Sequence, residues 1–118
     1  MSKTGSYARR KGHTFERDRV KKWKEIGFEH AMTSRYGSRF EDDVNNNDII
    51  GISLFREQCK SVESLGSLHK VLLSMKEEEG RMNILSHKRK SLGVTVTLWE
   101  SDFMELVQML VQNNIIKT

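Results

Sequence analysis

Apolar residues recur at helical spacing in three parts of the chain and alternate in several short stretches between them. The first helical pattern begins near His13, with Thr14 as N-cap and Gly27 as the stop. Val20 and Trp23 follow Glu16 on one stripe, and Phe15 and Ile26 widen the apolar face. Residues 28–34 hold a short strand, and the polar stretch after them reads as a loop. "IIGIS" and "LFREQCK" (Leu54–Lys60) predict two strands of a hairpin turning near Ile52–Ser53. "SVESLGSLHKVLLSMKEEEG" predicts a second helix, with Leu65, Leu68, Leu72 and Met75 as its stripe and Gly80 as its cap. "RMNILSH" and "VTVTLW" predict two more strands, joined by the basic turn "HKRKSLG". Ser101 should cap a last helix, with Asp102 in its first turn and Phe103, Leu106, Val107 and Leu110 on its apolar face.

This order predicts an α/β domain with a mixed central sheet of about four to five strands flanked by helices. The chain has 118 residues, which suits one domain, with residues 1–11 as a flexible basic arm and 12–118 as the folded part. Its 36% hydrophobic and 31% charged residues fit a folding chain. No apolar run reaches the length of a membrane span, and the N-terminus lacks a signal-peptide core. The single Cys59 cannot pair internally, and there are no four thiolates for a structural zinc. A cytoplasmic setting is expected.

Charge sharpens the picture. Residues 1–24 hold nine Lys/Arg against Glu16 and Asp18, a local balance of +7 in a chain of net +4. A basic N-terminal region on a near-neutral body suggests an anionic partner, with nucleic acid the usual one, although a solvated helix face gives the same composition.

Strand alternation then places Gln58 and Lys60 on one face of "LFREQCK", with Arg56 and Leu54, and Phe55, Glu57 and Cys59 on the other. The hairpin can bring Asp48 beside Gln58 and Lys60, and Glu16 can reach the same place from the first helix. Phosphodiester hydrolysis uses such a set. Asp48, Glu16 and Gln58 offer oxygens to Mg²⁺, which lowers the pKa of a bound water, and Lys60 offers an ammonium to orient the nucleophile or offset negative charge. Each residue has an ordinary alternative: Glu16 can pair with Arg19 or Arg35, Asp48 can cap a loop, and Gln58 and Lys60 can be an exposed strand end. Asp42 and Asp43 read as solvated loop residues. His13, His30, His69 and His87 lack metal-ligand spacing, and Cys59 reads as a small core residue.

This arrangement resembles the PD-(D/E)xK nuclease superfamily, and within it most resembles the archaeal-type Holliday junction resolvases. "KGHTFERDRVKKWKEIGF" (Lys11–Phe28) is similar to their first helix, "SRYGS" to the loop after it, "NDII" to the segment with the metal-binding aspartate, and "REQCK" to the Glu-x-Lys strand. The likeness is best over residues 11–60. Two positions depart from the pattern: Asn47 stands where a proline is usual, and Gln58 stands at the acidic position. A carboxamide can coordinate through its oxygen but brings no charge. The resemblance implies a restriction-endonuclease-like fold, Glu16, Asp48, Gln58 and Lys60 as the catalytic set, and Mg²⁺, replaceable by Mn²⁺, held by Asp48, Gln58 and Glu16. It also implies branched DNA as substrate and a homodimer for paired cuts, in a bacterial, archaeal or phage-infected cell. Arg9, Arg10, Lys11, Arg17, Arg35, Arg39, Lys88, Arg89 and Lys90 would line the phosphate track. Two other readings remain open at this point: a nuclease without preference for junctions, and a DNA-binding protein whose metal site has decayed.

Overall fold

A computed structural model describes residues 2–35 and 46–118. The first helix, α1, spans Ser2–Glu25. It therefore takes in the basic segment expected to be a flexible arm, and Thr14 lies inside it rather than capping it. No proline interrupts residues 2–14, and the apolar stripe that marks a helix in sequence starts only at Phe15, so the earlier turns carried no signal. The C-terminal stop is as expected. The Gly27 amide donates to the Lys24 carbonyl (3.1 Å) and the Phe28 amide to the Trp23 carbonyl (3.0 Å), while Gly27 takes φ +120°. The Trp23 and Phe28 rings meet edge to face at 5.3 Å across this cap.

Five strands follow: β1 (Met32–Thr33), β2 (Ile49–Ile50), β3 (Phe55–Ser61), β4 (Met82–Arg89) and β5 (Gly93–Leu98). They form one sheet in the order β1-β2-β3-β4-β5. All neighbours are antiparallel except β3 and β4, which run parallel and are joined by a crossover. The expected α/β class with a mixed sheet is thus the observed one. Alternation gives the sheet two packed faces. Ala31, Ile49 and Ile52 pack with Val20 and Trp23 of α1 on one side. Leu72, Met75 and Leu85 pack with Trp99 on the other.

The β2–β3 hairpin turns at 51–54, where the Phe55 amide donates to the Ile52 carbonyl (2.9 Å). Gly51 has φ +81°, and a Cβ there would run into the backbone carbonyl of His30. Gly51→Ala should therefore cost roughly 3 kcal/mol in a urea-unfolding measurement, combining a strained backbone with a collision that no side-chain rotation relieves. Gly27→Ala meets no neighbouring atom and should cost less.

Two expected helices differ. The helix of the crossover, α2, spans only Leu68–Leu73. Ser67 caps it by accepting from the Lys70 amide (3.2 Å), so Leu65 lies before it and Met75 beyond it. Gly66 at φ +72° stops it from starting earlier. Glu77, Glu78 and Glu79 would place negative charge at a helix C-terminus, which the helix dipole disfavours. Gly80 belongs to the turn into β4 and is not a helix cap: the Arg81 amide donates to the Glu78 carbonyl (3.1 Å). The last helix, α3, spans Glu100–Gln112 and is preceded by Trp99, so Ser101 lies within it and does not cap it. None of its residues is buried, although its apolar face is the one expected from the sequence.

Candidate functional site

β3 carries two sets of side chains to two different environments. The expected alternation holds. Glu57 and Cys59 face α1, while Gln58 and Lys60 line a cleft against α2.

On the α1 side, Glu57 is fully buried. Its Oε2 accepts from Arg19 Nε (2.6 Å), Ser86 Oγ (2.7 Å) and the Cys59 thiol (3.5 Å). Its Oε1 accepts from Trp23 Nε1 (2.8 Å) and Arg19 Nη2 (3.2 Å). One carboxylate thus joins α1, β3 and β4, and its charge is met by a guanidinium that also stacks near the Trp23 ring. Burial pushes the Cys59 thiol well above its ordinary range, and the charges of Glu57, Asp48 and Glu16 add to this. Cys59 packs against the Ala31, Ile49 and Ile52 cluster, where burial disfavours its thiolate.

On the α2 side, Gln58 and Lys60 line an open cleft of about 300 Å³ with Asn46, Ser67, Lys70 and Ser74. Among the described residues two ammonium groups and no carboxylate line it, a field that suits an anion. Gln58 is 5% exposed, and its Oε1 is buried without a hydrogen-bond partner. Asn46 Nδ2 donates to the Ser74 carbonyl (3.1 Å) and ties the β2 approach to the end of α2. Lys70 was absent from the residues read from sequence. It sits on a solvated helix, where a lone lysine carries no distinguishing pattern.

Asp48 stands where the hairpin was expected to bring it. The register Ile49↔Glu57 sets it beside Gln58. Its amide donates to the Glu57 carbonyl (2.7 Å), and its Oδ2 accepts from the Cys59 amide (2.8 Å). Asn47, at the usual proline position, is fully buried, and its Oδ1 accepts from the Glu57 amide (3.1 Å). A proline side chain could not make that bond.

Glu16 occupies the α1 side, and its Oε1 accepts from Arg35 Nη2 (2.8 Å), one of the two partners its position suggested. Glu16 is not among the residues lining the Gln58–Lys60 cleft, so the four candidate residues divide. Gln58 and Lys60 share the cleft, Asp48 borders Gln58 on the next strand, and Glu16 is held by Arg35. Among the described residues, no three His, Cys, Asp or Glu side chains are grouped to hold a metal ion.

The chain matches no protein-family model, no curated protein and no solved structure.

The proposed phosphate track is spread along two margins. Arg9, Arg10 and Arg17 are exposed on α1, and Lys11 lies over the Tyr7 ring at 5.9 Å. Lys88 is half-buried near α1, Arg89 approaches Glu63 at 3.7 Å, and the Lys90 amide donates to Glu63 (3.1 Å). Arg39, Asp42 and Asp43 lie outside the described residues. His87 bonds the Val62 carbonyl (2.6 Å), and His69 packs on the Trp99 ring at 5.7 Å. No helix among the described residues is long and apolar enough to cross a membrane.

Proposed function

We propose that this chain is a metal-dependent, structure-selective DNA endonuclease that cuts four-way junctions. The observation that carries the reading is the β2–β3 hairpin. It brings Asp48 next to Gln58, which with Lys60 lines a cleft bordered, among the described residues, by ammonium groups and no carboxylate. The sequence resemblance over residues 11–60 supplies the reaction class.

The donor set fits a Mg²⁺ ion that keeps most of its water. Asp48 offers carboxylate oxygen, and the orphaned buried Oε1 of Gln58 is a carbonyl oxygen in need of a partner. When bound, the metal supplies an acidified water and offsets charge on the phosphate. Lys60 would orient the water or neutralise the phosphate as charge builds, and Lys70 lines the same cleft. Glu16 is the third oxygen donor of the reading: it pairs with Arg35, and its charge, like that of Asp48, reaches Cys59. Paired nicks on a two-fold junction call for two copies of the chain.

A second reading has its own support. Gln58 brings no charge and Glu16 is occupied by Arg35, an arrangement that suits a DNA-binding module without cleavage. Cleavage of a labelled four-way junction beside a duplex of the same sequence, with Mn²⁺ and with chelator, separates the readings. Symmetric metal-dependent nicks in the junction alone support the resolvase. Equal cutting of both substrates supports a general nuclease. Tight binding without cutting supports the binding module.

A further inference from the structure

α3 has an apolar stripe that the described residues cover only in part, with Leu106 and Val107 half-buried. Phe103, Leu106, Val107 and Leu110 fall on one side of the helix, yet Phe103 is 51% exposed and Leu110 37%. A 13-residue helix is marginal in water alone and takes its stability from docking such a stripe. Glu100 and Asp102 flank the stripe at its N-terminal end, and α3 contains no basic residue. Asp102 makes no ion pair among the described residues, and burial, with the neighbouring charges of Glu105 and Glu77, holds its carboxyl above its ordinary value.

The opposite set of needs occurs at the other end of β5. A groove of about 310 Å³ between α1 and the β4–β5 hairpin is lined by Phe15, Val94, Lys21, Lys22 and Lys88, with Asp18 and Glu25 the acids among them. Among the described residues, none of those three lysines is in an ion pair. Val94 and Val96 point to this side, since they pair with Lys88 and Ser86, and Ser86 bonds Glu57 beneath α1. They remain 38% and 48% exposed because α1 does not reach over them.

α3 cannot fill the groove of its own chain. It leaves the Leu98 end of β5 after one residue, Trp99, which packs with Leu72, Met75 and Leu85 on the α2 face. The groove lies at the Val94 end on the α1 face. β5 is an edge strand, so the root of α3 and the groove share one margin of the sheet, open to a second copy.

We propose that two copies of this chain exchange α3. Each helix lays the Phe103–Leu106–Val107–Leu110 stripe over Phe15, Val94 and Val96 of the other copy, and Glu100 and Asp102 meet Lys21, Lys22 and Lys88. The contact is isologous, so every gain is counted twice, and two inserted helices reach the order of 1,200 Å² that specific interfaces bury. The exchange does not depend on what the cleft does.

Sedimentation velocity of the full chain tests this. The wild type should sediment as a dimer at micromolar concentration. Glu100→Lys/Asp102→Lys should be monomeric, as should Lys21→Glu/Lys22→Glu/Lys88→Glu, and an equimolar mixture of the two should dimerise again. Phe103→Asp should weaken the wild-type dimer at least about 100-fold, with an unchanged far-ultraviolet circular dichroism spectrum. A monomeric wild type, a charge variant that stays dimeric, a mixture that stays monomeric, or an unaffected Phe103→Asp dimer would each overturn the exchange.

Discussion

Replacing Glu57 by alanine should destabilise the chain by about 3–5 kcal/mol, the largest effect expected of any single exchange in the sheet. The reason lies in what the substitution leaves behind. Arg19 keeps a guanidinium that is only 11% exposed and loses its counter-charge. Trp23 and Ser86 lose their acceptor in the same step. Each stranded donor costs desolvation that folding no longer offsets. Glu57→Gln keeps the shape but supplies one acceptor oxygen where two served, and it turns an amide N–H₂ toward groups that are themselves donors. Its loss should approach that of alanine.

A double-mutant cycle identifies the cause. Arg19→Ala alone leaves the Glu57 charge buried, and Glu57→Ala alone leaves Arg19 without its anion. The double variant should therefore lose clearly less than the two single losses added together. Additive losses in urea unfolding would mean that Arg19 and Glu57 are separate packing residues, and that the join between α1 and β3 rests on Trp23, Phe28 and Ile49 instead. The consequence reaches the cleft. Glu57 and Gln58 are neighbours on β3, so whatever fixes one side of that strand fixes the aim of the other.

How much of this was legible depends on the distance over which each feature is encoded. The alternation in "LFREQCK" is local, and it sorted Glu57 from Gln58 correctly. The Gly27 stop and the β2–β3 hairpin are local too. The burial of Glu57 is not, because its partners lie 38 and 34 residues upstream. A signal existed: Arg19 and Trp23 stand four apart on α1, so a cation and an indole donor share one helix face and ask for an acceptor. The length of α2 was misread because Leu65, Leu68, Leu72 and Met75 fit helical spacing, while the chain uses Gly66 and the Ser67 cap to keep only six residues helical. Leu65, Leu72 and Met75 still reach the core, from loop and helix alike, so the pattern predicted burial better than conformation. The engagement of Glu16 by Arg35 was one of two pairings that sequence allowed, and only three-dimensional proximity chose between them. The stripe of α3 was legible as apolar, but that none of its residues is buried was not, since amphipathicity marks a face without saying what covers it.

The cleft makes the second large expectation. Lys60→Ala should lower junction cleavage by about 10²–10³-fold, the loss typical of removing one group that stabilises transition-state charge. Binding should fall far less, because a single phosphate contact changes the salt dependence by about one unit of slope. Measured in chelator, the affinity of Lys60→Ala for the junction therefore separates the two roles: equal losses in binding and cleavage would make Lys60 a phosphate anchor only. Gln58→Glu tests the neighbouring position in the opposite direction. The side chain is buried, its oxygen has no partner, and Arg56 on the same face, although its Nη1 pairs with Glu78, keeps Nε and Nη2 unpaired, so a carboxylate there finds Arg56 and Lys60 on either side along β3. The variant should fold, hold metal more tightly and cut at least as fast, with half-maximal activity at about tenfold lower Mn²⁺. If Gln58→Glu abolishes cleavage while the wild type cuts, the amide N–H₂ is the group the reaction uses, as a donor to the phosphate. If the wild type binds junctions without cutting and Gln58→Glu begins to cut, one missing charge separates a DNA-binding module from a nuclease on this sheet.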